Sequence, residues 1–123
     1  MVGYVTLGTN NLEKAAAFYD ALTAELGAKR LMETDQFIGW GTGMDDPLLM
    51  IFVPHDGKPA TVGNGVMVAL RAQNAEQVKK WHAKALALGG QNEGDPGPRG
   101  GGFYAAYFRD LDGNKLNFFC FGG

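Results

Sequence analysis

The sequence predicts an α+β domain built from two consecutive β-α-β-β-β units, and three observations carry that expectation. The 123-residue chain nearly repeats itself. A shift of 63 lays Tyr4-Val-Thr-Leu7 over Met67-Val-Ala-Leu70, Asn11-Leu-Glu13 over Asn74-Ala-Glu76, and Gly27 over Gly90. A shift of 67 lays Phe37-Ile-Gly-Trp40 over Tyr104-Ala-Ala-Tyr107, and Pro47 to Phe52 over Asn114 to Phe119. Next, each copy carries one helical run among strand-like runs. Finally, a copy of about 60 residues with a single helix has little core of its own. Two copies are too few for a solenoid, so the pattern implies two supersecondary units packed about a pseudo-twofold axis. A cleft between or under them is the first place to look for function.

The elements follow in order. Val2 to Leu7 is apolar and β-branched, as a strand requires. Asn10 and Asn11 are both good helix N-caps, with Glu13 three residues behind Asn10 in a loose capping box. Leu12, Ala15, Tyr19, Leu22 and Leu26 then keep helical spacing, and Gly27 is placed to end the helix. Lys29 to Glu33, Phe37 to Thr42 and Leu48 to Val53 read as three strands, the last two joined by the turn Met44-Asp-Asp-Pro47. In the second copy Gly65 to Arg71 reads as a strand. Asn74 caps a helix with Ala75, Val78, His82, Ala85 and Leu86 on one face, ended by Gly89-Gly90. Gln91 to Glu93 is a weak strand, Gly94 to Gly102 a Pro/Gly loop, Phe103 to Arg109 a strong strand, Asp110 to Asn114 a turn, and Lys115 to Phe121 the last strand. The organisation is one domain, with module one at 1–54, a linker at 55–64 and module two at 65–123.

Composition limits the function classes. Hydrophobic content of 46% with 20% charged residues fits a globular protein. A net charge of −2 leaves no basic stripe, which argues against nucleic acid and acidic membranes as partners. The single cysteine, Cys120, allows no intrachain disulfide and suits a reducing compartment. No basic, apolar leader and no bilayer-length apolar run is visible, so the expected location is cytoplasmic.

Three stretches resemble the vicinal oxygen chelate superfamily of glyoxalase I, extradiol dioxygenases and fosfomycin- and bleomycin-resistance proteins. They are Tyr4-Val-Thr-Leu-Gly8 through Asn11-Leu-Glu-Lys14 to Phe18-Tyr19; Asn64-Gly65 into Val66 to Leu70; and Asp95-Pro-Gly-Pro-Arg99 through Phe103 to Asp110 and Asp112-Gly-Asn114. The last is the most specific and is similar to small bacterial glyoxalase/bleomycin-resistance/dioxygenase-like proteins. The resemblance implies two βαβββ modules whose strands curl into paired half-barrels around a shared cavity. It also implies that enzymes of the family hold one divalent cation with His and Glu side chains at four pseudo-symmetric places. Those places map onto Tyr4, Met50, Met67 and Asn117 here.

None of the four is His, Asp or Glu. A neutral thioether suits Cu(I) rather than Zn, Mn or Mg. An amide carbonyl carries no charge, and a tyrosine with a pKa near ~10 ionises at a cost. The expectation is therefore no metal and no other cofactor. Such a pocket, apolar with a few oriented polar groups, would be lined by Tyr4, Trp40, Met50, Met67, Tyr107 and Asn117. Arg99 would meet an anionic group from a loop at the cavity mouth. The competing expectation is that these side chains simply fill the space as core.

Other motifs carry less. His55 lies in a turn-rich segment and His82 on a helix beside Trp81, so a histidine-centred triad or zinc cluster has little to build from. Cys120 sits in an apolar strand and reads as a small hydrophobe. Glu93 to Gly102 lacks the Lys-Ser/Thr and the following helix of a phosphate loop. Asp110 to Asn114 begins like a calcium loop but has no closing Glu. The favoured reading is a metal-free protein that binds a small, partly aromatic or amphipathic molecule, probed by its metal content. Two alternatives stand beside it. One is a glyoxalase-like lyase or isomerase with atypical or no metal, for which Glu33 and Asp35 are the nearest carboxylates. The other is a structural or oligomerisation module without ligand. A homodimer is expected, cyclic pairs being the commonest oligomer.

Overall fold

The computed structural model of the chain describes residues 1–122. Its elements run β1 (Tyr4–Gly8), α1 (Leu12–Glu25), β2 (Lys29–Glu33), β3 (Phe37–Gly41), β4 (Leu48–Phe52), β5 (Val68–Arg71), α2 (Ala75–Ala87), β6 (Gln91–Pro98), β7 (Phe103–Arg109) and β8 (Lys115–Phe121). The chain divides into two compact units between Val62 and Gly63. Each unit is α+β with the order β-α-β-β-β.

In the first unit the sheet order is β1-β4-β3-β2. β1 runs parallel to β4, and the other pairs are antiparallel. Parallel pairing between the first and last strands needs a crossover, which α1 and the β2–β3 hairpin supply. α1 begins where Asn11 accepts a hydrogen bond from the Lys14 amide at 3.0 Å. It ends at Leu26, with Gly27 following at φ +77, a conformation that favours glycine. Asn10 does not share the cap. Its side chain accepts from the Ala60 amide at 2.6 Å and donates to the Ala60 carbonyl at 3.2 Å, pinning the end of this unit beside β1. α1 packs on β2, β3 and β4, burying Tyr19 and Leu22 with Ile38, Trp40 and Ile51. Each such side chain contributes on the order of 1.5–3 kcal/mol by leaving water.

The second unit repeats the plan as β5-β8-β7-β6. β5 is parallel to β8 and the rest are antiparallel. Asn74 caps α2 by accepting from the Gln77 amide at 2.9 Å, and Gly89 follows the last turn at φ +103. α2 packs on β6, β7 and β8. Trp81 meets Phe118 edge-on at 5.6 Å, and Phe118 stacks on Phe108 at 5.1 Å. His82 is buried, its Nε2 donating to the Tyr107 carbonyl at 3.0 Å. The β7–β8 turn is closed by Asp110, whose Oδ1 accepts from the amides of Asp112 and Asn114, both at 2.9 Å.

Two expectations need correcting. The strand expected from Gly65 begins only at Val68, because Gly63 and Val66 close a turn through the Val66 amide and the Gly63 carbonyl. The loop expected over Gly94 to Gly102 is strand as far as Pro98. Gly94 pairs with Tyr107 and Gly97 with Ala105, with two register shifts along the way. The two prolines are tolerated because β6 is an edge strand and bulged.

Candidate functional site

Strand alternation gives each sheet a face under its helix and a face turned away from it. In the first unit Tyr19 on α1 packs on Trp40 at 5.5 Å, so Ile38, Trp40, Leu49 and Ile51 point toward the helix. Tyr4, Thr6, Met50 and Phe37 project from the other face. Met50 lies opposite Thr6 on β1 and Gly39 on β3. The missing side chain at Gly39 makes room for it: a Cβ there would sit 3.2 Å from Met50 Cγ. Met50 is 3% exposed, whereas Tyr4 is 60% exposed.

In the second unit Phe108, Leu116, Phe118 and Cys120 face α2. Tyr107, Asn117 and Phe119 take the other face, where Asn117 lies between Ala69 on β5 and Tyr107 on β7. This is the place Met50 holds in the first unit. Asn117 is fully buried, and its Oδ1 has no hydrogen-bond partner. Met67 precedes β5 and is 39% exposed. Arg99 is exposed and lies over the Tyr107 ring at 5.5 Å.

The seven residues singled out in the sequence are thus divided. Tyr4 and Met50 share a face in the first unit, and Arg99, Tyr107 and Asn117 share one in the second. Trp40 departs from the expectation. It is buried beneath α1 and its Nε1 donates to Asp20 Oδ1 at 2.9 Å, so it belongs to the core between helix and sheet. Aromatic residues alternating with glycine (Phe37-Ile-Gly-Trp40-Gly41) gave no means of telling which face would carry the ring.

A groove of the first unit lies elsewhere. It encloses about 470 Å³ between α1 and β2, lined by Leu12, Ala16, Asp20, Arg30, Glu33 and Ile38 among others. Arg30 donates to both Asp20 oxygens, at 2.8 and 2.7 Å, and ion-pairs with Glu33 at 3.1 Å. The hydrogen bond from Arg30 holds the Asp20 carboxyl below its ordinary value of 3.8. Burial opposes that shift, and the Trp40 N–H and the Arg30 charge reinforce it. The same hydrogen bond to Asp20 raises the Arg30 pKa. This network satisfies itself and ties β2 to α1. It also occupies Glu33, one of the two carboxylates considered for acid–base work.

The remaining electrostatic feature was read from the sequence only at Arg99. On the second unit's helix-free face Arg71 lies over Phe119 at 5.1 Å, and Lys115 joins Arg99 over Tyr107 at 5.4 Å. Arg109 is neutralised by Glu93 at 2.6 Å. The alternation of Lys115, Asn117 and Phe119 was a usable signal. The approach of Arg71 and Arg99 was not, because it depends on which strands are neighbours.

A divalent cation does not fit the donors at Tyr4, Met50, Met67 and Asn117, which are a phenol, two thioethers and an amide. Among the described residues no three His, Cys, Asp or Glu side chains come together. No helix among them is long and apolar enough to cross a membrane.

Two β-α-β-β-β units of matching topology define a vicinal oxygen chelate fold. The chain belongs to the glyoxalase/bleomycin resistance protein/dioxygenase superfamily, whose family model matches residues 1–118. It is 37% identical to a glyoxalase/bleomycin resistance protein from Albidiferax ferrireducens, covering 97% of each chain with a TM-score of 0.88. A hypothetical protein from S. aureus is 28% identical, with 97% of this chain and 91% of that one covered and a TM-score of 0.75. A lactoylglutathione lyase from Agrobacterium tumefaciens, 21% identical over 97% of this chain and 92% of that one, shares the fold at a TM-score of 0.71. No curated protein matches significantly.

Proposed function

We propose that this chain is a small-molecule-binding member of the superfamily that works without a resident divalent metal. The donor chemistry supports that reading. At the two buried places that correspond between the units, Met50 and Asn117, the chain offers a thioether and an amide. Neither supplies the charge that Zn, Mn or Mg prefers. A buried amide oxygen without a partner and a buried methionine beside a glycine suit a ligand contact, being polar and apolar groups placed on pleated sheet. The reading includes a cytoplasmic homodimer as the working form, with no nucleic acid or membrane partner.

Elemental analysis of purified protein tests it, with well under one metal ion per chain expected. One tightly held ion per chain would overturn the reading. Native mass spectrometry of the same sample would reveal co-purified small molecules and the mass of the assembly.

A further inference from the structure

We infer that the helix-free sheet face of the second unit binds an aromatic carboxylate, with the carboxylate at Arg99 and Lys115 and the ring at Phe119. This rests on the binding reading above and adds the charge class of the ligand to it.

The protein carries a net charge of −2, yet this face gathers three cations besides Arg109. Arg99 and Lys115 lie over one ring, that of Tyr107, at 5.5 and 5.4 Å, and Arg71 lies over Phe119 at 5.1 Å. Among the described residues no carboxylate forms an ion pair with any of the three, whereas Arg109 on the same face has Glu93. Ring quadrupoles attract cations but do not cancel their charge. Two like charges on a single ring therefore leave a field that an anion would relieve.

Arg99 is also held in place. Its guanidinium donates to the Asp95 carbonyl at 2.7 Å and reaches the Pro98 carbonyl at 3.4 Å. It lies in a trough made by two glycines: a Cβ on Gly94 or Gly97 would come within 3.4 and 3.0 Å of its terminal nitrogens. Two of its five N–H groups are used in this way. The rest stay free for the forked geometry that carboxylates match.

The aromatic part of the site is adjacent. Phe119 is the diagonal cross-strand neighbour of Tyr107, a spacing of roughly 7–8 Å that suits a fused or substituted aromatic acid. Phe103 stacks on Phe119 at 5.6 Å, and Phe121, 62% exposed, flanks both. Asn117, directly opposite Tyr107, supplies the buried unpaired oxygen at the floor of this face.

The test uses the full chain and two probes of equal shape, 2-naphthoate and the neutral 2-naphthamide, titrated against ¹⁵N-labelled protein. Naphthoate is expected to shift β7 and β8 amides and to bind about tenfold tighter than naphthamide, weakening as salt rises. Arg99→Gln and Lys115→Gln, at accessible positions, should each weaken naphthoate several-fold and naphthamide far less. Equal affinity for the two probes, indifference to both substitutions, or shifts mapping to another face would overturn the anion assignment while the binding reading stands. If β7 and β8 amides instead shift with protein concentration alone, a second copy covers the face and the assignment fails. If neither probe binds at millimolar concentration and nothing co-purifies, both readings fall.

Discussion

The indole N–H of Trp40 donates to Asp20 Oδ1 at 2.9 Å, and the same carboxylate takes a two-point hydrogen bond from Arg30. One helix residue thereby fixes a core ring and an edge-strand cation together. Asp20→Ala would leave the Trp40 N–H unpaired where the side chain is 1% exposed. The expected cost is about 1–3 kcal/mol for the orphaned donor, plus less than about 1 kcal/mol for the half-exposed ion pair. Urea unfolding followed by tryptophan fluorescence measures it, as a lower midpoint at unchanged slope.

Acid should act through the same carboxylate. Its native pKa is lowered from 3.8, first by the Arg30 hydrogen bond, so the unfolded chain binds this proton more readily than the native one. The contribution is therefore complete above 3.8 and fades as pH falls through the lowered native value. The stability gap between wild type and Asp20→Ala is expected to be widest near neutrality and to narrow below about pH 4. Denaturant titrations of both proteins across that range would show it.

Asn10 and Asn11 stand side by side and do different work. Asn11 caps α1, while Asn10 makes a reciprocal pair of hydrogen bonds with Ala60. Asn11→Ala should cost about 1 kcal/mol of global stability. Asn10→Ala should instead loosen the chain locally, with amide exchange at Ala60 accelerating more than exchange in the core of α1. Residue-resolved hydrogen exchange separates the two effects.

How much of this was legible depended on the range of the interaction. Asn11, Gly27, Asn74 and Gly89 act within a few residues, and the caps and helix ends fell where the sequence placed them. The 63- and 67-residue repeats revealed the element order, although the 67 shift laid Trp40, which faces α1, over Tyr107, which faces away from α2, so the side-chain alternation of β3 and β7 is out of step at that shift. What resisted reading was set by neighbours distant in sequence. Asn10 found Ala60, Trp40 turned toward Asp20, and Gly94 to Pro98 became strand because Tyr104 to Tyr107 offered a ladder to pair with. The site residues followed the same rule. Tyr107 and Asn117 were named separately, but only the antiparallel register makes them partners and brings Arg99 over the ring.

Gly90, half-buried after the end of α2, carries a constraint set by the backbone packed against it. A Cβ there would lie 2.8 Å from the Ala85 carbonyl oxygen and 3.1 Å from that of Arg109. Both are backbone atoms, so neither yields by a rotamer change. Gly90→Ala should shift the end of α2 relative to β7 and cost more than about 1 kcal/mol, in the range of other overpacked sites. Gly39→Ala, whose Cβ would crowd the flexible Met50 side chain at 3.2 Å and make ordinary contact with Met32 Cβ at 3.7 Å, should cost less. Parallel thermal melts of the two variants provide the comparison.

Asn114 and Asn117 are both buried in or beside β8, yet the same substitution should move stability in opposite directions. Asn114 donates from Nδ2 to Asp110 Oδ2 at 3.0 Å, and that carboxylate organises the β7–β8 turn. Asn114→Leu removes the donor and leaves a buried carboxylate oxygen poorer by one bond, for an expected loss of about 1–3 kcal/mol. Asn117 Oδ1 has no partner to lose. Its desolvation already counts against the fold, and Asn117→Leu replaces it with an apolar side chain of similar volume on a face that holds Phe119. A gain of about 1 kcal/mol is expected, read as a higher urea midpoint. A clear loss at Asn117 would mean that its oxygen is satisfied in solution by an ordered water, because removing both water and amide would then forfeit a made bond.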